Sequence, residues 1–334
     1  MNTHPAIEKA LERAKKASSE AKRLAEIYGY LPYMIERYIE MLGEHEAKLL
    51  LEANEKPLDD YIRCNNILIN CNILEKRLQS KGVELASDKR FSPYSYRVLR
   101  SPIKLGALHE HLFGYYYIQG PASAGIVHAL DPRPGETVLD MAAAPGGKST
   151  QILQLARDKA LLVAVEKNRK RVRSLRANLQ RMRFTNYIIL RADSTRLSFN
   201  NEFDRVLLDA PSTGEGIIRR DPSRKRSRAP HDLLYIHKLQ VIMLSKALDY
   251  VKPGGIIVYA ACTLAPEEGE MVIDTILSRR QNVTIEPHGL PISRGISSYF
   301  GISMDSRVEM CGRFWPHRQG TEGFFVCKLR KNPS

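Results

Sequence analysis

The chain has 334 residues, 43% of them hydrophobic and 26% charged, an ordinary globular balance that excludes wholesale disorder. The length suits a catalytic domain of about 200 residues with a smaller companion. The formal net charge of +14 points to a polyanionic partner. The longest apolar stretch, 255–265, falls short of the ~20 residues a membrane span needs, so no membrane is expected. The first twenty residues lack the apolar core of a secretory signal. Five cysteines, Cys64, Cys71, Cys262, Cys311 and Cys327, include no CxxC pair. Neither a disulfide framework nor a metal site is expected, and the default compartment is a reducing cytoplasm.

Residues 6–53 read as helices. Ala6, Ile7, Ala10, Leu11 and Ala14 recur at helical spacing, as do Ile35, Tyr38, Ile39 and Leu42 and then Leu49 and Leu50, with a break at 29–32. Residues 1–60 carry a net charge of −3, so this region is not expected to be the main nucleic-acid surface. Residues 58–130 read as a small α+β domain. YIRCNNILI starts as a strand, LEKRLQSKG is a short helix, and VELASDKRFSPYSYRVL resumes with strand character. Residues 61–130 hold nine basic and four acidic side chains.

From 131 to 334 the pattern is regular. TVLDMAA, LLVAVEK, YIILRAD, RVLLDAP and GIIVYAAC are short apolar runs. Most are separated by stretches of helix length, notably 168–182 and 231–250. Runs apolar on both faces suit buried parallel strands, and their alternation with helices predicts a doubly wound α/β sheet. GFFVCKLRK is read as a last, antiparallel strand at the edge.

In such a sheet ligands sit beyond the carboxyl ends of the strands. Asp140, Glu166, Asp193 and Asp209 each occupy or follow a strand end. The loop after the first strand is AAAPGGKS. Gly146 and Gly147 let the backbone approach a ligand, and the helix that follows presents free N–H groups. Glu166 lies twenty residues after Gly146, the spacing at which an acid on the second strand reaches ribose hydroxyls. Asp193 is placed to accept from an adenine amino group. The loop has neither GxGxxG nor GxxxxGK[ST], which counts against a nicotinamide enzyme and an NTPase. Cys262 closes GIIVYAAC. A cysteine there is commonly a small buried hydrophobe, but with Asp209 from the neighbouring strand it suggests covalent catalysis on a base ring. Two basic runs flank these motifs: 166–183 with net +7 and 219–228 with net +5.

VLDMAAAPGGKS, VEKNRKRVRSLRANLQR, LLDAPSTGEGIIRRDP, YAACTLAPEEGE and FWPHRQGTEGFF resemble, in order, the motifs of the Sun/nucleolar-protein family of RNA 5-methylcytosine methyltransferases. YYIQGPASAGIVHALDPRPGE resembles that family's lead-in to its first motif, and YIRCNNILI its small RNA-binding domain. The resemblance covers roughly 58–334. It implies a class I methyltransferase fold, Rossmann-like and mostly parallel, with S-adenosylmethionine as cofactor. Ala142, Ala143, Ala144, Pro145, Gly146, Gly147 and Lys148 would line its methionine end, Glu166 would hold its ribose, Asp193 its adenine side, and Asp209 the methyl donor and the target cytosine, with Arg171 a further cofactor-binding residue. Cys262 matches the nucleophile, Lys148 a lysine beside the catalytic carboxylate, and Arg219, Arg220, Arg224, Lys225 and Arg226 a basic segment lining the RNA cleft.

Carbon 5 of cytosine is too poor a nucleophile to take a methyl group directly. A thiolate adding at carbon 6 pushes electron density onto carbon 5, and a carboxylate at ring nitrogen 3 stabilises the adduct. An unperturbed thiol has a pKa of about 8.5, so Lys148 and the arginines are expected to supply charge that ionises Cys262. The family usually has cysteine after Asp-Ala-Pro, and this chain has Ser212. That cysteine assists product release in the family, so release is the step in doubt, with Cys311 a substitute thiol to consider. The expected activity is cytosine-5 methylation of RNA, tRNA first and rRNA second, by a cytoplasmic monomer. The alternatives are an RNA-binding or assembly factor with impaired turnover, and a different class I RNA methyltransferase.

Overall fold

The structure is a computed structural model and describes residues 3–199 and 202–333. Three helices open the chain: α1 (Ile7–Lys15), α2 (Ser19–Tyr28) and α3 (Pro32–Asn54). Ser18 caps α2 by accepting from the Ala21 amide, and Gly29 ends it at φ +75°, a conformation that favours glycine. Pro32 starts α3, where no helical N–H is lost. Gly43, also at φ +75°, kinks it. The apolar stripe Ile7, Ala10, Leu11, Ala14, Ile35 and Tyr38 is buried in one core with the sheet residues Leu139, Val206, Leu208 and Tyr259. The helices thus cover one face of the large sheet. Leu49, expected on the stripe, is instead exposed.

The next unit contains β1 (Asp60–Cys64), α4 (Cys71–Gln79), β2 (Glu84–Ser87), β3 (Ser95–Arg100), α5 (His109–Leu112) and β4 (Tyr116–Ile118). Its strands form an antiparallel sheet in the order β2-β3-β1-β4 over its own core of Ile62, Leu74, Leu78, Val83 and Tyr116. Helix α6 (Pro121–Leu130) follows. Its Ala122, Ile126, Val127 and Leu130 are buried with Val138, Ile152 and Leu162 of the large domain.

The large sheet is built from β5 (Thr137–Asp140), β6 (Leu161–Val165), β7 (Tyr187–Leu190), β8 (Phe203–Ala210) and β9 (Val251–Ala261). All five are parallel, as the apolar runs predict. Helices α7 (Gly147–Leu155), α8 (Arg169–Arg181) and α9 (Pro230–Tyr250) connect them, and α10 (Glu270–Leu277) follows β9. The C-terminal part adds β10 (Val283–Glu286), β11 (Ser293–Arg294), the hairpin β12 (Ser298–Tyr299) and β13 (Ile302–Ser303), β14 (Gly312–Phe314), α11 (Pro316–Gln319) and β15 (Phe324–Lys331). The order β11-β14-β15-β9-β8-β5-β6-β7 turns back at β5, between β6 and β8. That is the switch point where such folds hold ligands.

Two expectations are corrected. Strand β15 is antiparallel but lies inside the sheet, between β9 on one side and β10 and β14 on the other. Its unbroken apolar start, Phe324 to Cys327, reflects that burial. The cysteines also form two disulfides, Cys64–Cys71 and Cys311–Cys327. Their Cα separations, 5.9 and 4.5 Å, fall within bridging range. The fold sets both approaches: β1 runs into α4, and the chain before β14 lies against β15. Cys311 is therefore buried and bonded, and it is no substitute thiol. Cys262 is the free cysteine. Among the described residues no helix is long and apolar enough to cross a membrane.

Candidate active site

Asp140, the last residue of β5, is buried and accepts from Ser149 Oγ at 2.7 Å. Burial pushes its carboxyl up to about 6. The loop that follows is pinned from three sides. The Ala143 amide donates to the Val165 carbonyl (2.9 Å). Arg171 donates to the Ala144 carbonyl (2.5 Å) and Asn178 to the Pro145 carbonyl (2.9 Å). Gly146 turns the chain into α7 at φ +109°, and a Cβ on Gly147 would lie 3.1 Å from the Tyr117 ring.

Beside this loop is a cavity of about 520 Å³ lined by Met141, Ala142, Glu166, Asp193, Leu239 and Met243 among others. Glu166 is buried, and its Oε1 accepts from the Asn168 amide at 2.7 Å. Its Oε2 lies 3.3 Å from Arg171. Asp193 accepts from Thr195 (2.7 Å) and Lys167 (3.0 Å). Those hydrogen bonds, Thr195 first, hold it down near pKa 2 despite partial burial. It is a fixed anion.

A second cavity of about 380 Å³ shares Ala142 with the first and contains Asp140, Lys148, Asp209, Arg220, Cys262 and Glu322. Strands β8 and β9 are in register with Asp209 opposite Ala260, so Cys262, just past β9, emerges beside Asp209. Lys148 Nζ bonds Asp209 Oδ2 at 2.7 Å and sits 5.3 Å from the centre of the Phe324 ring. Burial works against the ammonium, but Asp209 more than offsets it and holds Lys148 above its ordinary range. The Cys262 thiol donates to the Gly323 carbonyl at 3.5 Å. Burial first, then the charges of Glu322 and Asp209, push this thiol well up, against the pull of Lys148. The expected ionisation of Cys262 by nearby cations is therefore not favoured at rest: burial first, with the charges of Glu322 and Asp209, outweighs the pull of Lys148.

Two positioning residues, Glu268 and Arg63, were not singled out in the sequence, and a third, Ser212, was singled out only for the thiol it lacks. Buried Glu268 accepts from the Thr213 amide (2.7 Å), from Thr213 Oγ1 (2.8 Å) and from Thr263 Oγ1, joining the loops that follow Asp209 and Cys262. Ser212 donates to the Cys262 carbonyl at 3.2 Å. Arg63 of the small domain is fully buried. It donates to Gln119 (2.7 Å), Thr150 (2.8 Å) and the Gly147 carbonyl (3.2 Å), fixing that domain against the start of α7. The one available signal was Arg63, the lone charge in YIRCNNILI.

The basic run at 219–228 is largely engaged by the chain itself. Arg219 donates to the carbonyls of Lys56 (3.0 Å) and Pro57 (2.8 Å). Lys225 reaches Glu55 (2.5 Å), and Arg226 reaches the Gly29 carbonyl (2.9 Å). Arg224 pairs with Asp221 (2.8 Å) and Arg220 with Glu322 (3.3 Å). On α8, by contrast, Leu175 and Leu179 form the buried stripe while Arg169, Lys170, Arg173 and Arg176 are exposed. Among the described residues there is no cluster of three or more metal-ligating side chains.

Residues 127–330 match the model of a family described as 16S rRNA methyltransferase RsmB/F. A Schizosaccharomyces pombe 25S rRNA (cytosine-C(5))-methyltransferase is 36% identical over 91% of this chain. The chain spans about half of that relative's length (51%). A Pyrococcus abyssi tRNA (cytosine(49)-C(5))-methyltransferase is 32% identical over 89% of this chain and 95% of its own length. A crystal structure of a methyltransferase homolog from Pyrococcus horikoshii superposes with a TM-score of 0.85 at 36% identity, covering 94% of this chain and 99% of that one.

Proposed function

The chain belongs to the RsmB/F family of RNA methyltransferases, and from that premise we propose that it methylates carbon 5 of cytosine in RNA through a covalent adduct on Cys262. The observation that carries this reading is the convergence of Cys262, Asp209 and Lys148 in one cavity that shares Ala142 with a second. A base-nitrogen or ribose methylase needs no thiol there.

The family's methyl donor is S-adenosylmethionine, and the residues present fit it. The larger cavity offers a buried carboxylate, Glu166, suited to a ribose diol, and apolar Met141, Leu239 and Met243 suited to the faces of a base. Ala142–Lys148 would hold the methionine end, with Asp193 on the adenine side. When bound, the group supplies an electrophilic methyl.

The target cytosine must leave its stack to reach the smaller cavity. There Cys262 Sγ bonds to carbon 6. Asp209 takes the thiol proton and passes it to ring nitrogen 3, so a neutral thiol and a neutral base become a neutral adduct. Lys148 holds Asp209 Oδ2, which leaves Oδ1 for the proton and keeps the carboxylate oriented. The same contact explains how a protonated thiol can serve: its proton departs as the base arrives, into a carboxylate already in the cavity.

RNA as the partner is supported by the exposed basic face of α8. tRNA is the substrate we favour, because the relative matched over nearly its whole length is named for tRNA. Bisulfite sequencing of RNA from cells with and without the gene tests the proposal. Loss of one or a few resistant cytosines is expected, and an unchanged pattern would reject it.

A further inference from the structure

We propose that Glu322 is the base that removes the carbon 5 proton and so releases the methylated product, in place of the thiol that Ser212 lacks. The inference rests on the covalent reading above and concerns its last step.

After methyl transfer the RNA stays bonded to Cys262 until carbon 5 loses its proton. A group beside the ring must accept it. Ser212 does not serve: a neutral hydroxyl is not a base, and its Oγ donates to the Cys262 carbonyl at 3.2 Å. Cys311 is bonded to Cys327. The cavity itself holds three carboxylates, on Asp140, Asp209 and Glu322. Asp140 Oδ2 accepts from Ser149 at 2.7 Å, and Asp209 has Oδ2 held by Lys148 at 2.7 Å while its Oδ1 is assigned to ring nitrogen 3 in the adduct. Glu322 is different. It is 6% exposed, its Oε1 meets Arg220 Nε at 3.3 Å, and its Oε2 is a buried oxygen with no hydrogen-bond partner.

A buried, unpartnered carboxylate oxygen costs free energy unless something fills the place beside it. The fold preserves that arrangement. A Cβ on Gly120 would lie 2.1 Å from Glu322 Oε1 and 2.6 Å from Oε2, so the lead-in motif carries glycine where the carboxylate needs room. The position also fits the chemistry. Residue 323 follows directly, and its carbonyl accepts from the nucleophilic thiol at 3.5 Å. Glu322 and Cys262 line the same cavity, so a ring bonded to sulfur at carbon 6 would present its neighbouring carbon 5 within that cavity. In the step itself the C5–H bond breaks and its proton goes to Oε2. The C–H electron pair becomes the C5=C6 double bond, and the C6–S bond breaks with its pair on sulfur. The proton that ring nitrogen 3 had accepted returns through Asp209 to the thiolate, which leaves a neutral base and a neutral thiol, and Glu322 gives its own proton to solvent.

The test uses the full chain, methyl-labelled S-adenosylmethionine and total RNA from cells lacking the gene. It follows the first turnover, the steady state and the labelled protein–RNA adduct that survives denaturation. Glu322→Gln should keep a first turnover close to wild type, lose on the order of a hundredfold in steady-state rate, and accumulate labelled adduct. Adding Ser212→Cys to Glu322→Gln should restore turnover and clear the adduct. Gly120→Ala, which displaces the carboxylate, should show the same accumulation, and unchanged cofactor affinity and melting temperature would show that the variants are folded. A Glu322→Gln protein whose first turnover falls as far as its steady state, without adduct, would overturn the proposal and make Glu322 a reader of the base. Unchanged kinetics would overturn it as well. If Cys262→Ala still labels carbon 5 and no protein forms an adduct, the covalent reading itself fails, which is a different result.

Discussion

Arg37 in the kinked third helix reaches Glu215 across 178 positions of sequence, with Nη2 3.0 Å from Oε2 and both side chains buried. The neighbouring Tyr38 hydroxyl donates to the other oxygen of the same carboxylate at 2.6 Å. Glu215 lies in the segment that follows Asp209, Ser212 and Thr213, so the N-terminal helices brace the loop that leaves the catalytic strand. This gives the N-terminal helices a role that the acidic composition of that region did not suggest. Arg37→Ala leaves a buried carboxylate without its cation, which costs about 3–5 kcal/mol. Denaturant unfolding should show a loss of that size, and methyl transfer should slow as the loop loosens. A variant as stable as wild type would mean that the pair is solvated in solution.

Cys262→Ala should abolish methylation while fold and cofactor affinity persist, because the nucleophile is needed for the chemical step and not for binding. Cys262→Ser should be nearly as inactive, since an alkoxide is far harder to form than a thiolate. Cofactor binding measured by calorimetry beside methyl incorporation separates the two effects. Transfer to carbon 5 by the alanine variant would refute the adduct.

The five parallel strands were legible in the sequence as uninterrupted apolar runs, which the interior strands need because they are buried on both faces, although β7, at the sheet edge, is only partly buried. Asp140, Glu166, Asp209 and Cys262 were legible for the related reason that each follows such a run. What the sequence concealed is long-range. The Cys311–Cys327 bridge depends on the chain before β14 lying against β15, and the interior place of β15 depends on which strands pair beside it. Neither leaves a local trace. The basic run at 219–228 showed its charge but not its commitments, since Lys56, Pro57 and Gly29 engage it with backbone carbonyls. Glu322 lies inside FWPHRQGTEGFF, yet nothing local says that one oxygen of a glutamate goes unpaired.

Glu166 should carry cofactor affinity. A buried carboxylate accepting from ribose hydroxyls makes charge-assisted bonds of about 1.5–3 kcal/mol each. Glu166→Ala should therefore weaken S-adenosylmethionine binding at least roughly tenfold, with RNA affinity little changed. Equal affinities by calorimetry would remove Glu166 from the site.

RNA affinity should fall steeply with salt, and the two basic runs should separate by what else they do. Replacing exposed Arg169, Lys170, Arg173 and Arg176 with alanine should flatten the slope of log affinity against log salt by roughly 0.7 for each phosphate no longer neutralised, leaving the melting temperature unchanged. Replacing Arg219, Arg220, Arg224 and Arg226 should flatten it too. That set should also lower stability, because Arg219 and Arg226 tie the N-terminal segments to the catalytic domain. A slope indifferent to both sets would move the RNA to the small domain at 61–130.

Stability should respond to pH through Glu268. Burial pushes its carboxyl up to about 7 from an ordinary 4.5, and burial raises Asp140 to about 6 from 3.8 in the same direction. Below pH 4.5 Glu268 is protonated in both folded and unfolded chains, and its contribution is fully present. Between 4.5 and 7 the unfolded chain releases the proton while the folded one keeps it, so folding is progressively disfavoured as pH rises through that window. The total for Glu268 is roughly 3 kcal/mol. His111, His128 and His237, each lowered by burial to about 4, act in the opposite sense and lose their contribution as pH falls from 6.5 towards 4. Wild type alone would therefore blur the effect, and the comparison must be with Glu268→Gln, which shares the histidines and Asp140. A glutamine can accept from the Thr213 amide and donate to a threonine hydroxyl without titrating. Urea unfolding at several values between pH 4.5 and 7.5 should show the variant gaining on wild type by a few kcal/mol across the window. Parallel curves would mean that Glu268 is ionised throughout and that its three threonine hydrogen bonds stabilise the anion more than burial opposes it.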